Sequence, residues 1–368
     1  MSEVAGSSAS RAGGRLSVDL DSLAANYLSL ASQAAPARCS AVVKANGYGL
    51  GMEPVARRLA ASGCDCFFVA SLAEGQSLRK VIPAADIYVL EGVWPEQPGA
   101  FAAADLLPVI NSPAQLALWA GSGDRRRCIV QVDTGMSRLG FTPAELRHLA
   151  VDTSALEAIR VDYLMTHLAC ADEPEHPLNR QQIGLFDELR GLLPDLPTSV
   201  GNTAAVLSGH GLCGDLVRPG IGLYGGNPAP GSKCHLQRVA TLEGRVLQIR
   251  EVPAATPVGY GAEYRARGQT RLATLGLGYA DGYPRSLGNR GYGVVQGQRV
   301  PVVGRVSMDS LVVDVTRLGT GSLSPGDFVQ LLGEDVDIDE LARLGGTISY
   351  ELLTGLSARL ERRYVGLV

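Results

Sequence analysis

At 368 residues, 46% of them hydrophobic, the chain can bury a sizeable core and has room for two domains, or for one large barrel with an appendage. A net charge of −4, with 33 basic and 37 acidic residues mixed along the chain, gives no electrostatic case for nucleic acid or an anionic membrane surface and points to a small partner. Seven cysteines lie scattered without metal or disulfide spacing and read as reduced core residues of a cytoplasmic protein.

Residues 1–14, rich in Ser, Ala and Gly and without an apolar core of signal-peptide length, read as a disordered tail. From residue 15 to 238, short β-branched or aromatic runs alternate with helical stretches. Eight runs can be counted: 39–45, 64–71, 86–91, 106–111, 128–133, 161–168, 198–202 and 216–223. Helical spacing follows in 53–61, 113–120, 143–150 and 178–193, several of these opened by Ser, Thr or Pro. Alternating strand and helix implies a parallel sheet, and eight units close it, so the expected fold is α/β, a (β/α)8 TIM barrel. Beyond the turn-rich stretch 226–233 the texture changes. Residues 239–368 carry β-rich segments at 239–249, 270–278, 292–303 and 310–315, with helical pattern only near 337–343, and read as a mostly β carboxyl-terminal domain.

Barrel enzymes place their chemistry at the carboxyl ends of the strands. The first run delivers Lys44 to an Asn/Gly loop with Tyr48 just beyond, and the fifth runs into Asp133-Thr134-Gly135-Met136-Ser137-Arg138. The sixth delivers His167, the seventh Asn202 and Thr203, and at the eighth lies Arg218-Pro219-Gly220-Ile221-Gly222, whose glycines let backbone N–H groups approach a ligand. Lysine, tyrosine, threonine and glycine amides around one mouth suit a phosphorylated aldehyde that condenses with the lysine, which is pyridoxal 5'-phosphate. The segment Asp172-Glu173-Pro174-Glu175-His176 crowds a single turn, and no second cluster joins it, so no metal is expected.

At these residues the chain resembles the alanine racemases, fold-type III pyridoxal-phosphate enzymes. Ala41-Val42-Val43-Lys44-Ala45-Asn46-Gly47-Tyr48-Gly49 is similar to their cofactor-lysine signature. Five landmarks follow in family order: Val132 to Gly140, Val217 to Ile221, Val258-Gly259-Tyr260-Gly261, Gly278 to Pro284, and Ser307-Met308-Asp309. The resemblance implies a homodimer with shared active sites and a small amino-acid substrate. A role for D-alanine in making peptidoglycan precursors is implied by the family alone.

Inverting Cα needs a base on each face of the reacting carbon. The resemblance assigns these to Lys44 and to Tyr260 of the partner subunit, with His167 as a helper, since a phenol ordinarily titrates near ~10. It sets Arg218 against the pyridine nitrogen, where a guanidinium only donates and so weakens the ring as an electron sink. Tyr48, Thr203, Gly220, Ile221 and Tyr350 become phosphate candidates, with His167 and Asn202 also at the cofactor. Arg138 would contact the cofactor's phenolic oxygen and the substrate carboxylate, and Tyr279, Met308 and Asp309 would line the substrate entry. Many family members carry a carboxylated lysine seven residues before this arginine, whereas here the position is Gln131. Its carbonyl can still accept a hydrogen bond from Arg138, but without the ionic part. Alternatives are a racemase preferring serine or another amino acid, a fold-type III decarboxylase, and a non-catalytic cofactor-binding barrel.

Overall fold

Residues 12–123, 125–193, 195–229, 231–232 and 234–366 are described by the computed structural model. Most of the expected tail, residues 1–11, lies outside them. The chain divides into Leu20–Gln237 and a second unit in which Arg238–Gly366 is joined by the residues up to Asp19, among them β1 (Gly14–Asp19).

The first unit is the barrel. Its strands are β2 (Arg38–Cys39) and β3 (Ala41–Val42), β4 (Cys66–Val69), β5 (Asp86–Val89), β6 (Leu107–Ile110), β7 (Arg126–Gln131), β8 (Ile159–Met165), β9 (Thr198–Ser199) and β10 (Leu216–Val217). All pair parallel in the order β2-β10-β9-β8-β7-β6-β5-β4-β3. β2 and β3 are two halves of one crossing interrupted at Ser40, whose N–H donates to Val217 O (3.0 Å). Val42 N–H then donates to Pro219 O (3.0 Å) and Val43 N–H to Phe68 O (2.9 Å), so this crossing joins the last strand to the second and closes the ring of eight. Phe67, Phe68, Val89, Ile110, Ile129, Val130 and Leu164 are fully buried, as expected of strands covered on both faces.

The connecting helices start where local chemistry dictates. Ser71 caps Leu72–Val81 by accepting from Glu74 N–H, and Ser112 caps Pro113–Ala120 by accepting from Gln115 N–H. Thr142 and Glu145 form a reciprocal capping box ahead of Pro143–Val151.

At the amino ends of the strands Arg127 lies between two carboxylates, 2.8 Å from Asp86 Oδ1 and 3.0 Å from Asp162 Oδ2. Tyr88 Oη donates to Asp162 Oδ2 (2.8 Å), and Arg38 lies 2.8 Å from Asp65 and 3.5 Å from Asp86. Burial works against the Asp86 carboxylate, but hydrogen bonds and charge from Arg127, with Arg38, hold its pKa below the ordinary value. A depressed folded-state pKa contributes stability above the unfolded pKa of ~3.9, and that stability is lost as pH falls through the folded value. Asp86→Asn is therefore expected to flatten the acid limb of a thermal-unfolding profile below pH ~4. An unchanged slope there would mean that the carboxylate contributes nothing.

The second unit is mostly β. Its strands after β1 are β11 (Ala240–Val252), β12 (Pro257–Val258), β13 (Tyr264–Arg265), β14 (Thr270–Leu275), β15 (Tyr292–Val295), β16 (Gln298–Pro301), β17 (Leu311–Asp314), β18 (Phe328–Leu332) and β19 (Glu361–Val365). The long β11 pairs antiparallel with β1, β14 and β18, and β1 pairs parallel with β19. Residues from 15 onward were expected in the barrel, but Gly14–Asp19 instead lies between β11 and β19 in the β unit. Leu16 and Val18 are fully buried there. This pairing spans more than 220 positions, which no local pattern reveals. The α/β reading, a (β/α)8 barrel with a mostly β unit, is borne out.

Candidate active site

β3 ends at Val42, and the chain then makes an unusual turn. Ala45, Asn46, Gly47 and Tyr48 all have left-handed backbone, with φ of 52°, 55°, 64° and 53°. Three of these are not glycine, and each such residue costs roughly 1–2 kcal/mol in this conformation. Strain of this kind persists only where surroundings impose it. Asn46 Oδ1 accepts from Met52 N–H (2.9 Å), and Glu74 Oε1 accepts from Ala45 N–H (2.8 Å). Lys44 stands half-buried at the start of the turn. Burial first, then the Arg138 charge, pull its amine below the usual lysine range, with Glu74 acting the other way. More of the amine is thus uncharged near neutral pH, the form that acts as nucleophile or base.

Arg218 follows β10 and is buried. Its Nη1 donates to Ser199 Oγ (2.6 Å), and its Nη2 donates to Thr166 O (2.9 Å) and to His167 Nδ1 (3.3 Å). A guanidinium only donates, so His167 Nδ1 must accept, and the neutral ring carries its proton on Nε2. Burial, followed by the charges of Arg218, Arg138 and Lys44, pulls His167 down to about 3, which keeps the ring uncharged at neutral pH. Arg218 itself is pulled down by burial and by Arg138 to about 10, and stays cationic. Gln182, fully buried, braces this wall: its Nε2 donates to His167 O (3.0 Å) and Thr134 Oγ1 (3.3 Å), and its Oε1 accepts from Ala169 N–H (2.9 Å).

A second group faces the ends of β9 and β10. Thr203 Oγ1 accepts from Gly220 N–H (3.0 Å) and Gly222 N–H (3.2 Å). With both lone pairs engaged, its own O–H is left to donate outward. A Cβ on Gly220 would fall 2.1 Å from Tyr48 Oη, so the glycine is what lets the phenol come this close. Tyr48 stacks on Tyr224, with ring centroids 4.6 Å apart, and Tyr224 Oη donates to Val42 O (3.0 Å). Ile221 opens the short 3-10 turn Ile221–Tyr224 beside them. Hydroxyl donors and closely approached backbone are the donor set that a phosphate dianion needs, so these residues fit a phosphorylated cofactor. Asn202 is placed differently from expectation: its Oδ1 caps Thr203–Ser208 by accepting from Ala205 N–H (3.0 Å), which holds Thr203 at the helix start.

Arg138 is exposed at the end of a loop built on Asp133, whose Oδ1 accepts from Gly135, Met136 and Ser137 N–H (2.9, 2.9 and 3.1 Å). Gln131 is buried, and its Nε2 donates to Leu139 O (2.7 Å). No hydrogen bond between Gln131 and Arg138 is present among the described residues, so the expected carbonyl contact is not formed. The carboxamide instead braces the backbone next to the arginine.

The remaining candidates belong to the β unit. Tyr260 is 71% exposed on the turn Tyr260–Ala262, between Gly259 and Gly261 at φ 71° and 75°. Tyr279 and Met308 are brought together, since Tyr279 N–H donates to Ser307 O (3.0 Å) and Ala280 N–H to Met308 O (2.9 Å). A Cβ on Gly278 would lie 2.3 Å from Ser307 O, so that close approach requires glycine. Asp309 pairs with Arg359 (2.7 Å), which also reaches Asp281 (3.2 Å). Tyr350 lies in the helix Ser349–Thr354 of this unit. His176 caps Pro177–Arg190 through Nδ1, and the described residues contain no group of three or more metal-ligating side chains. Sequence reasoning missed Ser199, Thr166, Gln182, Tyr224 and Glu74. The signal for the first two was a hydroxyl inside or just beyond an apolar run.

An amine of lowered basicity, a neutral imidazole and a buried arginine at the carboxyl mouth of a (β/α)8 barrel define an enzyme of cofactor-assisted amine chemistry. Residues 18–228 match the family model for the alanine racemase N-terminal domain, and residues 239–364 the one for the alanine racemase C-terminal domain. A catabolic alanine racemase of Mesorhizobium japonicum is 46% identical over 360 residues, covering 96% of this chain and 94% of its own length. The alanine racemase of Rhodospirillum rubrum is 46% identical over 362 residues, covering 97% of both. Among solved structures, the Bartonella henselae alanine racemase with covalently bound pyridoxal phosphate is similar at TM-score 0.91 and 36% identity, covering 96% of this chain and 100% of its own. The Pseudomonas aeruginosa biosynthetic alanine racemase gives TM-score 0.89 at 37% identity, with the same coverage of 96% and 100%. The chain belongs to the alanine racemase family.

Proposed function

We infer that this chain is an isomerase that interconverts L-alanine and D-alanine with pyridoxal 5'-phosphate, and that Lys44 and Tyr260 of the partner subunit are its two bases. The observation that carries the reading is Arg218, buried, cationic and anchored on Ser199, Thr166 O and His167. Pyridoxal phosphate would supply an aldehyde carbon for amines and a ring that takes up electron density when Cα loses its proton. Arg218 can only donate toward that ring, so it would leave the ring nitrogen an acceptor and keep charge delocalisation weak. Weak delocalisation favours returning a proton over losing carbon dioxide, which supports racemisation above the decarboxylase alternative. Lys44 Nζ, held below its usual basicity, would take or return the Cα proton on one face. Tyr260 Oη would do so on the other.

Thr203, Tyr48 and the Ile221 backbone would hold the phosphate, with Gly220 acting by orienting Thr203 and admitting Tyr48 and with Tyr350 as a further candidate. Asn202 would act by fixing Thr203, and His167 by orienting Arg218. Arg138 would receive the substrate carboxylate, and Tyr279, Met308 and Asp309 would line the entry. The exposed apolar side chains Tyr260, Tyr279 and Met308 of the β unit support a homodimer in which these residues serve the partner's barrel. Gln131 leaves no amine to carboxylate, so activity would be independent of added bicarbonate. No helix among the described residues is long and apolar enough to cross a membrane. The reading is for a cytoplasmic enzyme.

Purified protein and cofactor incubated with single-enantiomer amino acids test this reading. Optical inversion of alanine is expected, slower with serine. Carbon dioxide release from lysine or ornithine, without loss of optical activity from alanine, would sink it. Full activity in a diluted monomer would remove the shared site.

A further inference from the structure

Glu74 lies outside every family landmark in the sequence, yet its carboxylate spans two strand ends. Oε1 accepts from Ala45 N–H (2.8 Å), the residue after Lys44, and Oε2 accepts from Ala70 N–H (2.7 Å), the residue after β4. Glu74 is the third residue of a helix capped by Ser71, where a glutamate ordinarily reaches back to the cap's own N–H. Here both oxygens are diverted to the barrel mouth. Gly47 and Tyr48 at the far end of the left-handed turn are buried, but Ala45 and Asn46 at its start are exposed, so packing does not hold that half, whereas a charge-assisted hydrogen bond can.

We propose that Glu74 is a positioning residue for Lys44, pinning the left-handed turn that aims the lysine and supplying the negative charge that faces its amine. Lys44 is faced by Arg138 from the loop after β7, by His167 from the end of β8 and by Glu74 from the helix after β4. His167 is uncharged, so, beside burial, which lowers the amine most, the Arg138 and Glu74 charges act on it in opposite directions.

The inference rests on Lys44 as the reactive amine, but its readouts need no turnover. In full-length protein, amide hydrogen exchange is followed at Ala45 and Ala70, and acetylation of Lys44 by acetic anhydride is followed against pH after the cofactor is removed. Glu74→Gln is expected to speed exchange at these amides by ~10-fold or more and to move the Lys44 labelling midpoint to lower pH, since Arg138 is then unopposed. Glu74→Asp keeps the charge but not the reach, so its midpoint stays near that of the native protein while exchange at Ala45 is fast. Glu53→Gln, in an exposed pair with Arg57, is expected to change neither. If Glu74→Gln does not fold, exchange in Glu74→Asp decides. Native exchange and an unmoved labelling midpoint overturn the proposal. Racemisation that survives Lys44→Ala overturns instead the assignment of Lys44 as a base in the proposed function, so the two failures are distinguishable.

Discussion

Lys44→Ala is expected to lower alanine racemisation in both directions by on the order of 10⁴-fold or more, because on the proposed reading it removes one base and the amine that anchors the cofactor at once. The loss is expected without unfolding. Lys44 is half-buried at a strand end, and the ring closure beside it is made by backbone bonds of Ser40, Val42 and Val43. A thermal midpoint near that of the native protein, together with loss of the lysine-bound cofactor's absorbance, checks this. Racemisation within tenfold of native would exclude the lysine from the chemistry. An added primary amine is expected to restore part of the rate, since the missing group is a free amine with lowered basicity.

Tyr260→Phe tests the other face. Racemisation is expected to fall by roughly 10²–10⁴-fold, the range for a lost general acid or base. The effect is expected to be asymmetric when read as Cα proton exchange: exchange from L-alanine into deuterated water collapses, while exchange from D-alanine, which the proposal assigns to Lys44, continues. Tyr260 is 71% exposed, so deleting its hydroxyl leaves no buried group unpaired in its own unit, and a stability change is not expected. Equal and small effects on both enantiomers would remove the tyrosine from the mechanism. Mixing inactive Lys44→Ala with inactive Tyr260→Phe provides a complementary check. If sites are shared across a dimer, the hybrid carries one site with both bases intact and one with neither, and some activity returns.

The barrel was legible because its code is local. Runs of strand length bounded by Gly, Asn and Pro recur eight times with helical spacing between them, and each strand pairs with its neighbour in the ring. Lys44, His167, Thr203 and Arg218 could be placed at the mouth on the same ground, since Lys44 and His167 sit at the ends of their runs, Thr203 directly after its run, and Arg218 within the last run before its Pro-Gly turn. β1, β18 and β19 were not legible as partners. Arg15-Leu16-Ser17-Val18-Asp19 alternates as a strand should, but it pairs with segments more than 220 and 340 positions away. The capping role of Asn202 was not legible for a related reason. A polar residue at a strand end is equally suited to a ligand and to a helix cap, and only the position of Ala205 N–H decides between them.

By itself, then, the order of residues determined the fold class, the family and the strand ends at which chemistry collects, because hydrophobic period, turn residues and motif spacing are properties of neighbouring positions. What the tertiary structure decided is the electrostatic state of those groups. A neutral His167 accepting from Arg218, a Lys44 amine lowered by burial and Arg138, and a Thr203 hydroxyl turned outward by two glycine amides depend on desolvation and on distances between different strands. The left-handed turn after Lys44, held by a glutamate thirty positions downstream, belongs with them. No spacing rule reports a field that exists only once the barrel has closed.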